Sequence, residues 1–147
     1  MSSYYRNNIV LTSHLLAYVG YRLLKASVNE DSIFELSNYK PGQLQVDKEK
    51  LTQAMTDILK LLGEWEEKGK IKLDRDLHLP VQEVIKKGFH YLGDYHVSDP
   101  LYMKNGTLRT EDIRLLYFYH NRLENYGIDK VIEWNKYFSA ATSKVEV

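Results

Sequence analysis

The sequence predicts a mainly helical fold with two small β-hairpins, an α+β class, and three observations predict it. Leu51, Met55, Ile58, Leu62 and Trp65 recur at four-three spacing, the signature of one helix face. Asn105-Gly106 stands between two short strand-like runs, and Asn-Gly is the preferred pair for a type I′ hairpin. The densest aromatic run, Leu115–Tyr126, is apolar on nearly every side apart from a stripe of Arg114, Asn121 and Asn125. A helix of that kind is buried on more than one face, so this run is expected at the centre of the fold.

The elements follow in order. Thr12 or Ser13 caps a first helix reaching about Ala26, because a short hydroxyl side chain satisfies a free N–H of the first turn. Leu16, Val19, Leu23 and Leu24 form its inner stripe, and Gly20 permits close approach of a neighbour. Residues 29–32 start a short helical piece at Ile33–Leu36, and residues 38–42 close it as a loop. Asp47 caps the longest helix, Lys48–Lys68, and Gly69 stops it. Lys70–Asp74 alternates like a strand, Arg75-Asp76 turns it and Leu77–Leu79 returns, a first hairpin. Pro80 suits the first turn of a helix over Val81–Leu92, with Val84, Ile85, Phe89 and Leu92 inside and Gly93 at its end. The second hairpin spans Pro100–Arg109. Thr110 caps the aromatic helix, Glu111 and Asp112 favour its positive end, and Gly127 ends it. Ile128–Phe138 forms a last helix, folding back Val131, Trp134 and Phe138.

This gives one domain over residues 1–147, with its core in 9–138 and a frayed tail at 139–147. The order from Thr12 to Leu79 (helix, short helix, long helix, hairpin) makes the first half winged-helix-like, a topology that serves DNA binding and protein docking alike.

Charge narrows the function. Twenty Lys+Arg offset twenty Asp+Glu, whereas a domain that grips phosphate backbones carries a positive excess. Nucleic acid is therefore disfavoured as a partner. The absence of cysteine excludes disulfides and thiolate metal sites and fits a reducing compartment. The opening residues lack the pattern of a secretory signal, and no apolar run approaches the ~20 residues of a membrane span. A cytoplasmic protein, soluble or peripheral at the membrane face, is expected. The twelve tyrosines suit groove walls, interfaces and half-buried core positions equally.

The search for chemistry yields no catalytic residue and no cofactor site. His90, Asp94 and His96 are the best metal-ligand cluster, but they straddle the helix stop at Gly93 and lose regular convergence there. The glycines are isolated and form no phosphate-cradling loop. Ser13-His14 are neighbours on a helix, about 100° apart, and read as a cap and a surface histidine. Glu64, Glu66 and Glu67 read as a solvated helix face. His120 is the ionisable group of most interest, being flanked by aromatic and apolar residues. It is either a satisfied core histidine, the preferred reading, or part of a groove with Tyr117, Tyr119, Asn121 and Arg122, the last two offering anion-binding capacity.

Two stretches resemble a family. Residues 8–19, Asn-Ile-Val-Leu-Thr-Ser-His-Leu-Leu-Ala-Tyr-Val, resemble the helix that follows the catalytic domain in large bacterial glycerol-3-phosphate acyltransferases. Leu115–Leu123, with Tyr126-Gly127, resembles the Tyr-Tyr-x-Asn-x-Leu run toward the end of such chains, and the order agrees. The likeness spans Ile9 to Gly127. The family's catalytic His-x4-Asp pair, in which aspartate orients a histidine general base, has no counterpart: Val19, Glu83, Tyr95, Leu101 and Asn125 stand at the aspartate position after the five histidines. The resemblance therefore implies an accessory C-terminal domain without chemistry of its own. Its implied partners are a catalytic acyltransferase domain, in cis or in trans, and the membrane surface. Exposed apolar side chains where that domain docks are its expected structural mark.

Overall fold

Ten of the seventeen residues of helix α1, Thr12–Val28, are buried: Thr12, Leu15, Leu16, Ala17, Tyr18, Val19, Gly20, Tyr21, Leu23 and Leu24. They fall on every side of the helix, so α1 is the element on which the others pack. The aromatic run at Leu115 does not hold that central place. The structure, a computed structural model, describes residues 9–28, 36, 38–39, 44–93, 101–121, 123, 127–128, 131–132, 134 and 137.

The remaining elements are β1 (Ile9–Val10), β2 (Gln45–Asp47), α2 (Lys48–Glu67), β3 (Lys72–Leu73), a 3-10 turn at Arg75–His78, α3 (Val81–Gly93), β4 (Tyr102–Lys104), β5 (Thr107–Arg109) and α4 (Ile113–His120). The class is α+β, mainly helical with a small three-stranded antiparallel sheet in the order β2-β5-β4. Around α1 pack α4, α3 and α2. Two glycines allow close approach there. A Cβ on Gly20 would stand 2.6 Å from Leu101 Cδ1, and one on Gly88 of α3 would stand 3.0 Å from Leu16 Cβ.

Helix α2 matches its expected span. Leu51, Met55, Ile58 and Leu62 are buried, Trp65 packs partly buried against them, and Gly69 takes the left-handed φ of +77° that terminates the helix. Asp47 occupies the N-cap position, but its side chain makes no capping bond. The first N–H of α2, that of Lys48, instead donates to the Gly106 carbonyl at 3.0 Å, so the tip of the β4–β5 hairpin covers the helix end. That hairpin forms as expected, with Asn105 at φ 53° and Gly106 at φ 78°, the two positive values of a type I′ turn.

The first hairpin does not form. Lys72–Leu73 pairs in parallel with Ile9–Val10, and Asp74 N–H donates to the Val10 carbonyl at 2.9 Å. The Glu66 carboxylate accepts the Leu73 N–H at 2.9 Å, and the chain then winds into the 3-10 turn that buries Leu77. With these groups satisfied elsewhere, Leu77–Leu79 has no ladder to complete. The winged-helix-like order expected for Thr12–Leu79 therefore lacks its hairpin. Among the described residues, helix α1, strand β2, helices α2 and α3 and the β4–β5 hairpin follow one another in the chain.

Helix α3 runs as expected and buries Val84, Ile85 and Leu92. The aromatic helix is shorter than its sequence suggests, ending at His120. Its cap is Asp112, whose Oδ1 accepts the Leu115 N–H at 3.1 Å, while the hydroxyl of Thr110, the expected cap, accepts the Asp112 N–H instead. Farther on, Val131 faces solvent, and Ile132, Trp134 and Tyr137 turn inward. The expected helix at Ile33–Leu36 lies outside the described residues except for Leu36, which is helical and buried. Phe138 and the tail at 139–147 lie outside them altogether.

Candidate functional site

Helices α1 and α4 meet along a seam of rings. His14, Tyr18 and Tyr21 recur at four-three spacing on α1, which places them on one face. Opposite them, Tyr117 and His120 lie one turn apart on α4. The His120 ring stacks on Tyr18 with centroids 5.4 Å apart and an interplanar angle of 10°. It approaches Tyr21 at 4.3 Å and Tyr117 at 5.3 Å. Tyr21 meets Tyr117 edge-on at 5.4 Å, and His14 meets Tyr119 at 5.9 Å. Trp134 closes one end, edge-on to Tyr18 at 5.9 Å. Offset and edge-to-face pairs of this kind contribute about 0.5–1.5 kcal/mol each beyond area burial.

His120 is 3% exposed, and its Nδ1 lies 3.3 Å from the Tyr117 carbonyl oxygen. Three tyrosine rings surround it, and it lies in the core. Tyr117 and Tyr119 are half-buried beside it and Asn121 is exposed. Arg122 lies outside the described residues, as do Asp94 and His96 of the metal candidate, whose remaining member His90 is exposed. Among the described residues no group of three or more His, Asp or Glu side chains is arranged to hold a metal ion.

The polar geometry that sequence reasoning missed lies elsewhere. At the 74–79 turn, the Thr12 hydroxyl donates to Asp74 at 3.1 Å and the Tyr91 hydroxyl to Asp76 at 2.7 Å. Lys87 Nζ lies 4.0 Å from Asp76, and His78 Nε2 lies 3.3 Å from Glu66. The hydrogen bond to Asp76 is the main cause that raises the Tyr91 pKa. Tyr137 donates to Asp57 of α2 at 2.6 Å. Burial first, and then that bond, hold its hydroxyl well above the usual tyrosine range.

The outer face of the sheet forms a third polar feature. Val46, Leu108 and Met103 are in register and turn inward. Alternation therefore sends Gln45, Arg109 and Tyr102 outward in one row and Asp47, Thr107 and Lys104 in the next. The Asn-Gly turn fixes this register, so the outward row was readable in principle; strand β2, needed for Gln45, was not.

No family model, curated protein or solved structure matches this chain.

Proposed function

We propose that this chain is an accessory, non-catalytic docking domain of a glycerol-3-phosphate acyltransferase. The observation that carries the reading is the seam between α1 and α4. The two stretches that resemble that family, far apart in sequence, lie against each other, Tyr18 on His120 and His14 beside Tyr119. Apolar exposure supports it. Leu11, Leu79 and Tyr91 are all exposed and are tied to one corner of the fold, the 74–79 turn. Leu11 follows Val10, whose carbonyl accepts from Asp74; the Leu79 N–H and the Tyr91 hydroxyl both bond to Asp76. This corner is the surface proposed to meet the catalytic domain. No helix among the described residues is long and apolar enough to cross a membrane, so membrane contact in this reading is peripheral.

The test is complex formation. The chain is mixed with a bacterial glycerol-3-phosphate acyltransferase lacking its C-terminal region and the mixture is resolved by gel filtration. Co-elution that Leu11→Asp and Leu79→Asp abolish, while both variants remain folded, is the expected result. Separate elution at all concentrations would remove the reading.

The element order favours a second reading, a winged-helix binding module for a protein. Helix α3 exposes Gln82, Glu83, Lys86 and His90, and Lys87 stands beside Asp76. That mixture of signs suits a protein surface better than a phosphate backbone. Anisotropy with duplex DNA at low salt separates the cases: no binding is expected, and tight, salt-sensitive binding would place nucleic acid first.

A further inference from the structure

The outer row of the sheet holds an arginine whose direction is set by two neutral hydrogen-bond acceptors. The Thr107 hydroxyl donates to the Lys104 carbonyl at 2.8 Å, which turns its lone pairs toward Arg109. Arg109 Nε–H donates to that oxygen at 2.9 Å, and Nη2 donates to Gln45 Oε1 at 3.2 Å. Both acceptors are neutral. Among the described residues no carboxylate pairs with Arg109, and the guanidinium keeps further N–H donors beyond these two. Tyr102 is directly opposite Arg109, and Lys104 is opposite Thr107. Lys104 is thus a diagonal neighbour at about 7–8 Å, within reach of a long side chain. Asp47, on the same face, lies 4.0 Å from Lys50 Nζ.

We infer that this face, centred on Arg109 with Lys104 and Tyr102, is a binding site for a phosphomonoester group. A guanidinium held in one plane loses little freedom on binding and matches two oxygens of a tetrahedral anion. The two cations match a phosphomonoester close to its dianionic form at neutral pH, and a monoanionic carboxylate fills the site less well. The Tyr102 hydroxyl and ring offer a further donor and a surface for the esterified alcohol. Soluble phosphate esters and phosphatidic acid headgroups share this chemistry. The inference does not rest on the acyltransferase reading, since it concerns the isolated chain.

The experiment is a titration followed by backbone amide and arginine Nε–H resonances, with inorganic phosphate as probe and acetate as control. Saturable shifts at Arg109 Nε–H and across residues 102–109, at lower concentration with phosphate than with acetate, are expected. Arg109→Gln should weaken phosphate about tenfold or more, as loss of charge-assisted bonds does. Arg109→Lys, which keeps the charge and lacks the fork, should fail to restore it, while Asp47→Asn should tighten it. Arg75→Gln, a cation removed from the far surface, should change nothing. Shifts that never saturate, or equal weakening by Arg75→Gln and Arg109→Gln, would overturn the site. A second arm sediments the chain with phosphatidic acid or phosphatidylcholine vesicles. Pelleting with the former only, lost in Arg109→Gln, assigns a lipid headgroup; phosphate binding without pelleting assigns a soluble ester.

Discussion

Helices α1 and α4 are both rich in apolar and aromatic residues and pack on each other, yet they stand differently toward solvent. Around α1 every direction is taken: α4, α3, α2 and β2 all meet it, and Leu15, Leu16, Leu23 and Leu24 are fully buried. Helix α4 turns one face to that core through Leu116 and His120 and leaves Phe118 54% exposed. Aromatic density therefore does not measure centrality. What makes α1 central is small residues at the right places: Gly20 admits Leu101, and Ala17 takes little room. Helix α4 has ring after ring and no such notch, so one face must stay outside.

The sharpest test of this contrast removes one ring from each helix. Tyr21→Ala empties a site 2% exposed between Tyr117 and His120 and should cost about 3–5 kcal/mol in denaturant unfolding. Phe118→Ala should stay within about 0.5 kcal/mol of the parent. Equal losses would mean that α4 is covered on both faces. Next in size is Gly88→Ala. Its Cβ would meet the Leu16 side chain near the backbone, so overpacking of about 1–3 kcal/mol should outweigh the gain in helix propensity. Gly20→Ala meets the flexible end of Leu101 and should cost less.

The caps extend the comparison to helix ends. Asp112→Ala breaks a bond to the Leu115 N–H and should cost about 0.5–2 kcal/mol. Asp47→Ala removes no capping bond from α2, only the 4.0 Å approach to Lys50, and should cost about 0.5 kcal/mol at most. The smallest effect concerns pH. The Tyr137 pKa is raised in the fold by burial and by Asp57, so the folded chain keeps a proton that the unfolded chain releases near pH 10. Stability from this group is complete below that pH and declines as pH rises beyond it. Tyr137→Phe should flatten the alkaline decline; an unchanged slope would show that the hydroxyl is not shielded.

How far these features were legible in the sequence depended on where each partner lies. Helix α2 was readable because its periodicity and its stop at Gly69 are local, and the β4–β5 hairpin because Asn105-Gly106 dictates its own turn. Strand β2 was not: Gln45-Val-Asp has one apolar residue, and its pairing with β5 is a property of distant sequence. Alternation at 70–79 was real, but alternation does not say which strand will pair, and Ile9–Val10 supplied the partner. The spacing places His120 on the inner face of α4 beside Leu116, and both are buried. The enclosure of His120 was hidden because Tyr18 and Tyr21 come from the opposite end of the chain. On the Arg109 face, the opposition of Tyr102 follows from the Asn-Gly turn, whereas Gln45 was hidden because it sits on the strand that periodicity could not reveal.

The proposed role, completing an acyltransferase without chemistry of its own, is tested most directly by an activity assay. Acyl transfer to glycerol 3-phosphate would be measured for a bacterial acyltransferase lacking its C-terminal region, alone and with this chain added. No turnover is expected from the chain alone, and the truncated enzyme should show a saturable gain that Leu11→Asp with Leu79→Asp removes. Turnover by the chain alone, or a truncated enzyme indifferent to it at every concentration, would contradict the account.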